Sequence, residues 1–126
     1  MSKTVVYSDK APEPIGPYSQ AIQTGNTLFV SGQIAIEKSS GKIIMDNIEA
    51  ETSQVMTNLQ EILKAAGMGF GNVVKTSIFL KDMGNFPKVN EIYGKHFKDT
   101  FPARETVEVS RLPKDVNVEI SCIAVK

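Results

Sequence analysis

The sequence predicts an α+β two-layer sandwich, in which a mixed, mostly antiparallel sheet carries two helices on one of its faces. Three observations predict it. Residues 101–125 alternate polar and apolar side chains with period two, the mark of half-buried strands. Residues 48–66 and 85–98 carry apolar side chains at helical spacing. The other apolar runs are short and end in Gly, Asn or Pro, as strands do. The resulting order is strand, hairpin, helix, strand, helix, two strands.

Residues 4–7 read as a short strand. Residues 9–17 hold Pro12, Pro14, Gly16 and Pro17, which excludes regular structure there. Strands are predicted over 18–24 and 27–31, with Gly25-Asn26 as a two-residue hairpin turn. Residues 32–47 form a long connection that turns at Ser39-Ser40-Gly41. In the first helix Val55, Leu59, Ile62 and Ala66 make one apolar stripe. Asp46 with Glu49 reads as its capping box, and Gly67 as the residue just past its end. Residues 73–80 read as a strand. Asn85 starts a second helix with Pro87 in the first turn, and the helix runs to about Lys98, burying Phe86, Val89, Tyr93 and Phe97.

Pro102 cannot sit inside a central strand, so the next strand begins after it. Pro113-Lys114-Asp115 supplies turn chemistry. In the last strand Val116, Val118, Ile120, Cys122 and Ala124 share the apolar face, and Asn117, Glu119, Ser121 and Ile123 the other. Read as a hairpin, the two strands pair Val109 with Val116. That register places Arg104 opposite Ser121 and diagonal to Glu119, about 7–8 Å apart on one face. Two readings of this pair compete. One is a surface ion pair, worth about 0–1 kcal/mol. The other is a small anion site, with Arg104 gripping a carboxylate bidentately and Glu119 handling a proton or a water.

Length and composition bound the function. The 126 residues read as a single domain, 1–126, with ordinary globular content: 41% hydrophobic and 22% charged. Fourteen basic and fourteen acidic side chains cancel, which argues against a general nucleic-acid binder. The one cysteine, Cys122, allows no intrachain disulfide and reads as a buried, inert thiol. A cytoplasmic, reducing setting fits, with neither a signal peptide nor a membrane span in the sequence. His96 is the only histidine, and no catalytic triad, metal cluster or phosphate-cradling loop is present in the pattern. The segment Leu28-Phe29-Val30 and the strand over 73–80 are apolar on both faces. Helices cover only one, so the other awaits a further subunit or a ligand. Tyr18, after Gly16-Pro17, reads as a hydrogen-bond donor or ring wall over a small ligand, or as an interface tyrosine. At Ser31-Gly32 a glycine lets a ligand approach the backbone closely.

Four motifs in order carry a resemblance. They are Gly16-Pro17-Tyr18-Ser19-Gln20-Ala21, Val30-Ser31-Gly32-Gln33-Ile34, Val89-Asn90 followed by Tyr93, and Pro102-Ala103-Arg104 with Leu112-Pro113 and Val118-Glu119-Ile120. Over nearly its whole length the chain resembles the RidA/YjgF family of enamine/imine deaminases. The resemblance implies a chorismate-mutase-like fold and a homotrimer with sites between subunits. It implies that Arg104 binds the substrate carboxylate and that Glu119 activates water or exchanges a proton. Tyr18, Ser31, Gly32 and Asn90 fall at substrate-binding positions. Thr106 stands where many members have cysteine, so a thiol nucleophile is disfavoured there, though its backbone remains available. Glu105 replaces a small residue, and the hairpin register gives no reason for it.

The implied activity is hydrolysis of short 2-imino acids, from 2-aminoacrylate and 2-aminocrotonate, to 2-keto acids and ammonia, protecting PLP enzymes. No metal or cofactor is implied, and neither a membrane nor a nucleic acid is the expected partner. Two other readings stay open: a regulatory trimer sensing a carboxylate ligand, and an endoribonuclease or translation inhibitor.

Overall fold

The structure, a computed structural model, describes residues 2–126. Eight regular elements follow in order: β1 (Thr4–Val6), β2 (Ala21–Thr24), β3 (Thr27–Gln33), α1 (Ile48–Ala65), β4 (Val73–Leu80), α2 (Phe86–Gly94), β5 (Ala103–Glu108) and β6 (Val118–Val125). The strands form one six-stranded sheet in the order β1-β2-β3-β6-β4-β5. Every neighbouring pair is antiparallel except β4 and β5, which run parallel. The helices cover one face, as the pattern predicts. There Leu28, Val55, Leu59, Ile62, Ile78, Leu80 and Ile120 form a closed core. Each such side chain is worth about 1.5–3 kcal/mol in burial.

The period-two reading of β6 holds, with Val118, Ile120, Cys122 and Ala124 buried on the helix side. Its predicted partner does not. Sequence reasoning paired β5 with β6 as a hairpin, but β4 lies between them. Arg104 pairs with Thr76, and Glu119 pairs with Phe79. The cause is burial. β6, buried on the helix face and half-buried on the other, takes a central place, whereas β5, Ala-Arg-Glu-Thr-Val-Glu, suits an edge, where charge blocks further pairing. A strand, a helix and a strand in succession also favour a parallel crossover.

Smaller corrections follow local chemistry. The residue capping α1 is Asn47, whose Oδ1 accepts the Ala50 N–H at 2.7 Å, rather than Asp46. Gly67 ends α1 as predicted, at φ +72°, and the N–H groups of Gly67 and Met68 donate to Lys64 and Leu63 in a Schellman turn. The second helix stops at Gly94, short of Lys98, and Asn85 precedes it without a side-chain cap bond. β2 starts at Ala21, leaving Tyr18 in the connection before it. The turn at Ser39-Ser40-Gly41 is present, closed by an Ile36–Ile43 bridge.

The sheet's open face carries a row of apolar side chains, Val5, Ile22, Phe29 and Ile123, in register across four strands. Val5 and Phe29 are exposed. At one end of this face the connections 34–44 and 109–116 fold over Phe79 and bury a small second cluster of Ile34, Leu112 and Val116.

Candidate active site

Two cavities, on opposite sides of the sheet, hold all the predicted residues except Thr106. The first is a cleft of about 360 Å³ on the open face, lined among others by Tyr18, Gln20, Ser31, Gly32, Ile34 and Glu119. A bulge in β3 shapes it. Val30 pairs with Cys122 and Gln33 with Ile120, so Ser31 and Gly32 together face Ser121. Bulges re-aim side chains next to sites. Here the bulge sets Gly32 beneath Glu119 so closely that an added Cβ would lie 2.0 Å from the carboxylate Oε2. Any larger residue at position 32 would displace the Glu119 carboxylate from this resting place.

Glu119 is half-buried in this cleft, and no side-chain hydrogen bond or ion pair to it is formed among the described residues. Burial holds its carboxyl above the ordinary value of 4.5. A carboxyl that is desolvated yet unpartnered is a candidate proton carrier. Ser31 spends its donors on the scaffold, with Oγ–H donating to the Ser19 carbonyl at 2.6 Å and N–H to that of Gln20 at 2.9 Å. It therefore holds the segment that carries Tyr18. The Tyr18 ring is exposed, and its hydroxyl accepts the Ile15 N–H at 3.3 Å.

Gln20, not singled out from sequence, is buried and sews the proline-rich segment into place. Its Oε1 accepts the Ser8 N–H, and its Nε2 donates to the carbonyls of Ser8 and Pro12. An amide directly after an irregular stretch was the available signal.

The second cavity lies at the sheet edge, lined by Asn90, Tyr93, Gly94, Phe101, Pro102 and Arg104. Arg104 leans from β5 toward α2. Its Nη1 donates to Asn90 Oδ1 at 2.7 Å, and its guanidinium stands 5.5 Å from the Phe86 ring centre and 5.0 Å from that of Tyr93. Cation–π contacts are worth about 0.5–2 kcal/mol each, enough to preset the plane of the fork. Tyr93 is fixed in turn by Thr76, their hydroxyls 2.7 Å apart, and burial raises its pKa above 10.0 despite the nearby Arg104 charge. Helical spacing assigned Phe86 and Tyr93 to the core alone, and their cradle for Arg104 was missed.

The predicted sharing of one face by Arg104 and Glu119 fails. Arg104 lies level with Thr76 and Cys122, which face the helices, and Glu119 lies level with Phe79 on the open face. Thr106 lines neither cavity, and its Oγ1 is buried without a partner. Glu105, unexplained by the hairpin register, sits on the open face. There it accepts the Ser77 hydroxyl and pairs with Lys75 Nζ at 3.1 Å. The Cys122 thiol is buried and pushed up to about 12, as an inert thiol should be. His96 packs on Phe70, ring centres 5.1 Å apart, and burial lowers its pKa. Among the described residues no cluster of potential ligands is able to hold a metal ion, and no helix is long and apolar enough to cross a membrane.

Known proteins share this architecture. The family described as Endoribonuclease L-PSP matches residues 8–126. A RutC family protein of Pyrococcus horikoshii is 51% identical over 98% of this chain and 98% of its own. The 2-iminobutanoate/2-iminopropanoate deaminase of Mus musculus is 47% identical over 98% of this chain and 92% of its own. A crystal structure of E. coli TdcF with bound serine superposes with a TM-score of 0.92 at 35% identity, covering 98% of each chain.

Proposed function

The chain belongs to the Endoribonuclease L-PSP family, the RidA/YjgF proteins, and from that premise we propose that it hydrolyses short 2-imino acids to 2-keto acids and ammonia. Water adds to the imine carbon, the nitrogen gains protons, and ammonia leaves as the keto C=O forms. Arg104 binds the substrate carboxylate with its preset fork. Glu119 takes the proton from water and returns it to the departing nitrogen. Tyr18 and Asn90 flank the substrate, the Gly32 backbone supports the carboxylate of Glu119, and Ser31 anchors that wall. Thr106, placed at the site only by its match to the family's cysteine position, lines neither cavity and takes no side-chain role.

One observation carries the reading: an unpartnered, half-buried Glu119 and a surface-facing Arg104 fork occupy separate open cavities on opposite sheet faces. Neither cavity is a complete site. A homotrimer completes both, setting the Arg104 edge of one copy against the Glu119 cleft of the next and covering the exposed Val5 and Phe29. Serine bound to E. coli TdcF supports a small carboxylate ligand, and the name of the mouse relative supports imine hydrolysis. The unstable 2-aminoacrylate and 2-aminocrotonate products of PLP-dependent dehydration are the substrates proposed, so their removal protects PLP enzymes.

The test measures ammonia release while a threonine dehydratase generates the imine in situ. The expected result is a release rate that rises with added protein. No acceleration, with a 2-keto acid still bound, would leave a carboxylate-sensing protein in its place.

A further inference from the structure

Beside Thr52, whose hydroxyl donates back to the Ile48 carbonyl, the buried face of α1 contains two polar residues, Glu51 and Asn58, at 0% and 1% exposure. Each leaves the helix to hold one lip of the Glu119 cleft. Asn58 Nδ2 donates to the carbonyls of Ile34 at 3.0 Å and Ile36 at 2.9 Å, and both isoleucines line the cleft. The Glu51 carboxylate spans Asn117, Oε2 accepting its backbone N–H and Oε1 its side-chain Nδ2–H, each at 2.8 Å. Lys81 N–H donates to the Asn117 carbonyl at 3.1 Å, tying the same residue to the end of β4.

Asn117 is the hinge between two parts of the cleft. Before it runs the turn at Pro113–Asp115, where Lys114 and Asp115 hold left-handed backbone at φ 56° and 57°, and Pro113 lines the cleft. After it β6 begins, with Glu119 two residues on. Among the described residues Glu51 forms no ion pair. Burying a carboxylate without a cation is costly, and a leucine would fill the space without that cost. What leucine cannot supply is two fixed acceptors for one residue.

We propose that Glu51 is a positioning residue for Glu119, acting through Asn117 to fix where β6 begins. Helix α1 lies on the far side of the sheet from Glu119, so Glu51 touches no substrate. The expected effect on rate rests on the hydrolytic reading above; the expected effect on Glu119 itself does not.

The experiment compares the parent with Glu51→Gln, Glu51→Ala and Asn117→Ala. It reads kcat, KM and the titration of the Glu119 carboxyl by carbon NMR, Glu13 and Tyr18 being the other titratable groups lining the cleft. In Glu51→Ala, kcat falls about 10²-fold, the usual result of a displacement of about 1 Å. KM holds within about threefold, because Arg104 sits in the other cavity. The Glu119 midpoint drops toward its ordinary value as water enters. Glu51→Gln keeps both parental values, since its amide meets the same two groups once the Asn117 amide turns over. Asn117→Ala keeps the backbone bond and gives a smaller shift in the same direction, which decides the matter even if Glu51→Ala does not fold. If the parent shows no imine hydrolysis, the hydrolytic reading fails while the titrations still test Glu51. An unchanged Glu119 titration in the Ala variants, whatever happens to their melting, overturns the proposal.

Discussion

Glu119 and Gly32 act as one unit. The carboxylate lies where a Cβ on residue 32 would stand, 2.0 Å from Oε2. Gly32→Ala therefore expels Glu119 from its resting place while leaving the Arg104 cavity intact. We expect a folded protein that still binds a 2-keto acid but has lost about 10²-fold in kcat. Calorimetric binding alongside steady-state kinetics checks this, and retained turnover would remove Glu119 from the chemistry. Burial also gives Glu119 a stability signature. Its folded pKa is raised, so the folded state holds more protons than the unfolded one above pH 4.5. Stability is thus lost as pH rises through that window to the raised value. Glu119→Gln cannot ionise and escapes the loss. It should match the parent below the window and exceed it at neutral pH, in urea melts taken across pH at one protein concentration. A difference between the two that does not change with pH would contradict the desolvation.

At the scale of elements, α1 is the part whose ends can be tested alone. Gly67 closes it at φ +72°, and a Cβ there would meet only Lys126 Nζ, at an ordinary 3.5 Å. Gly67→Ala therefore isolates the backbone cost, about 1–2 kcal/mol for left-handed geometry. A urea midpoint lowered to that extent, with activity per folded chain unchanged, is the expected outcome. This glycine was legible in the sequence, as were β4 to its end residues and the buried face of β6. Those features depend on residues close together in the chain, and alternation fixes which face a side chain takes. It does not fix which strand lies alongside. Val109 and Val116 made a plausible hairpin, and that hairpin brought Arg104 to Glu119. The sheet chose otherwise because β6 is better buried than β5, a comparison between distant segments. The same blindness hid Gln20, Phe86 and Glu51, whose partners lie far off in sequence.

At the scale of the molecule, one chain holds the two halves of the proposed site back to back. Arg104 and Glu119 face away from each other across β4, so no closure of a single chain unites them. The proposed trimer predicts complementation. Arg104→Ala and Glu119→Gln should each be inactive alone. Unfolded together and refolded as a 1:1 mixture, they should recover about a quarter of parental activity, the chance that a site draws both intact halves from adjacent chains. No recovery in a mixture whose mixed assemblies are verified by mass would mean the halves work within one copy. The back-to-back arrangement also bears on gene dosage. A scarce, unassembled chain would be idle, and its output would rise roughly as the cube of its abundance until assembly saturates. Under the proposed trimer, a modest change in expression would then act as a near switch between idle and working protein.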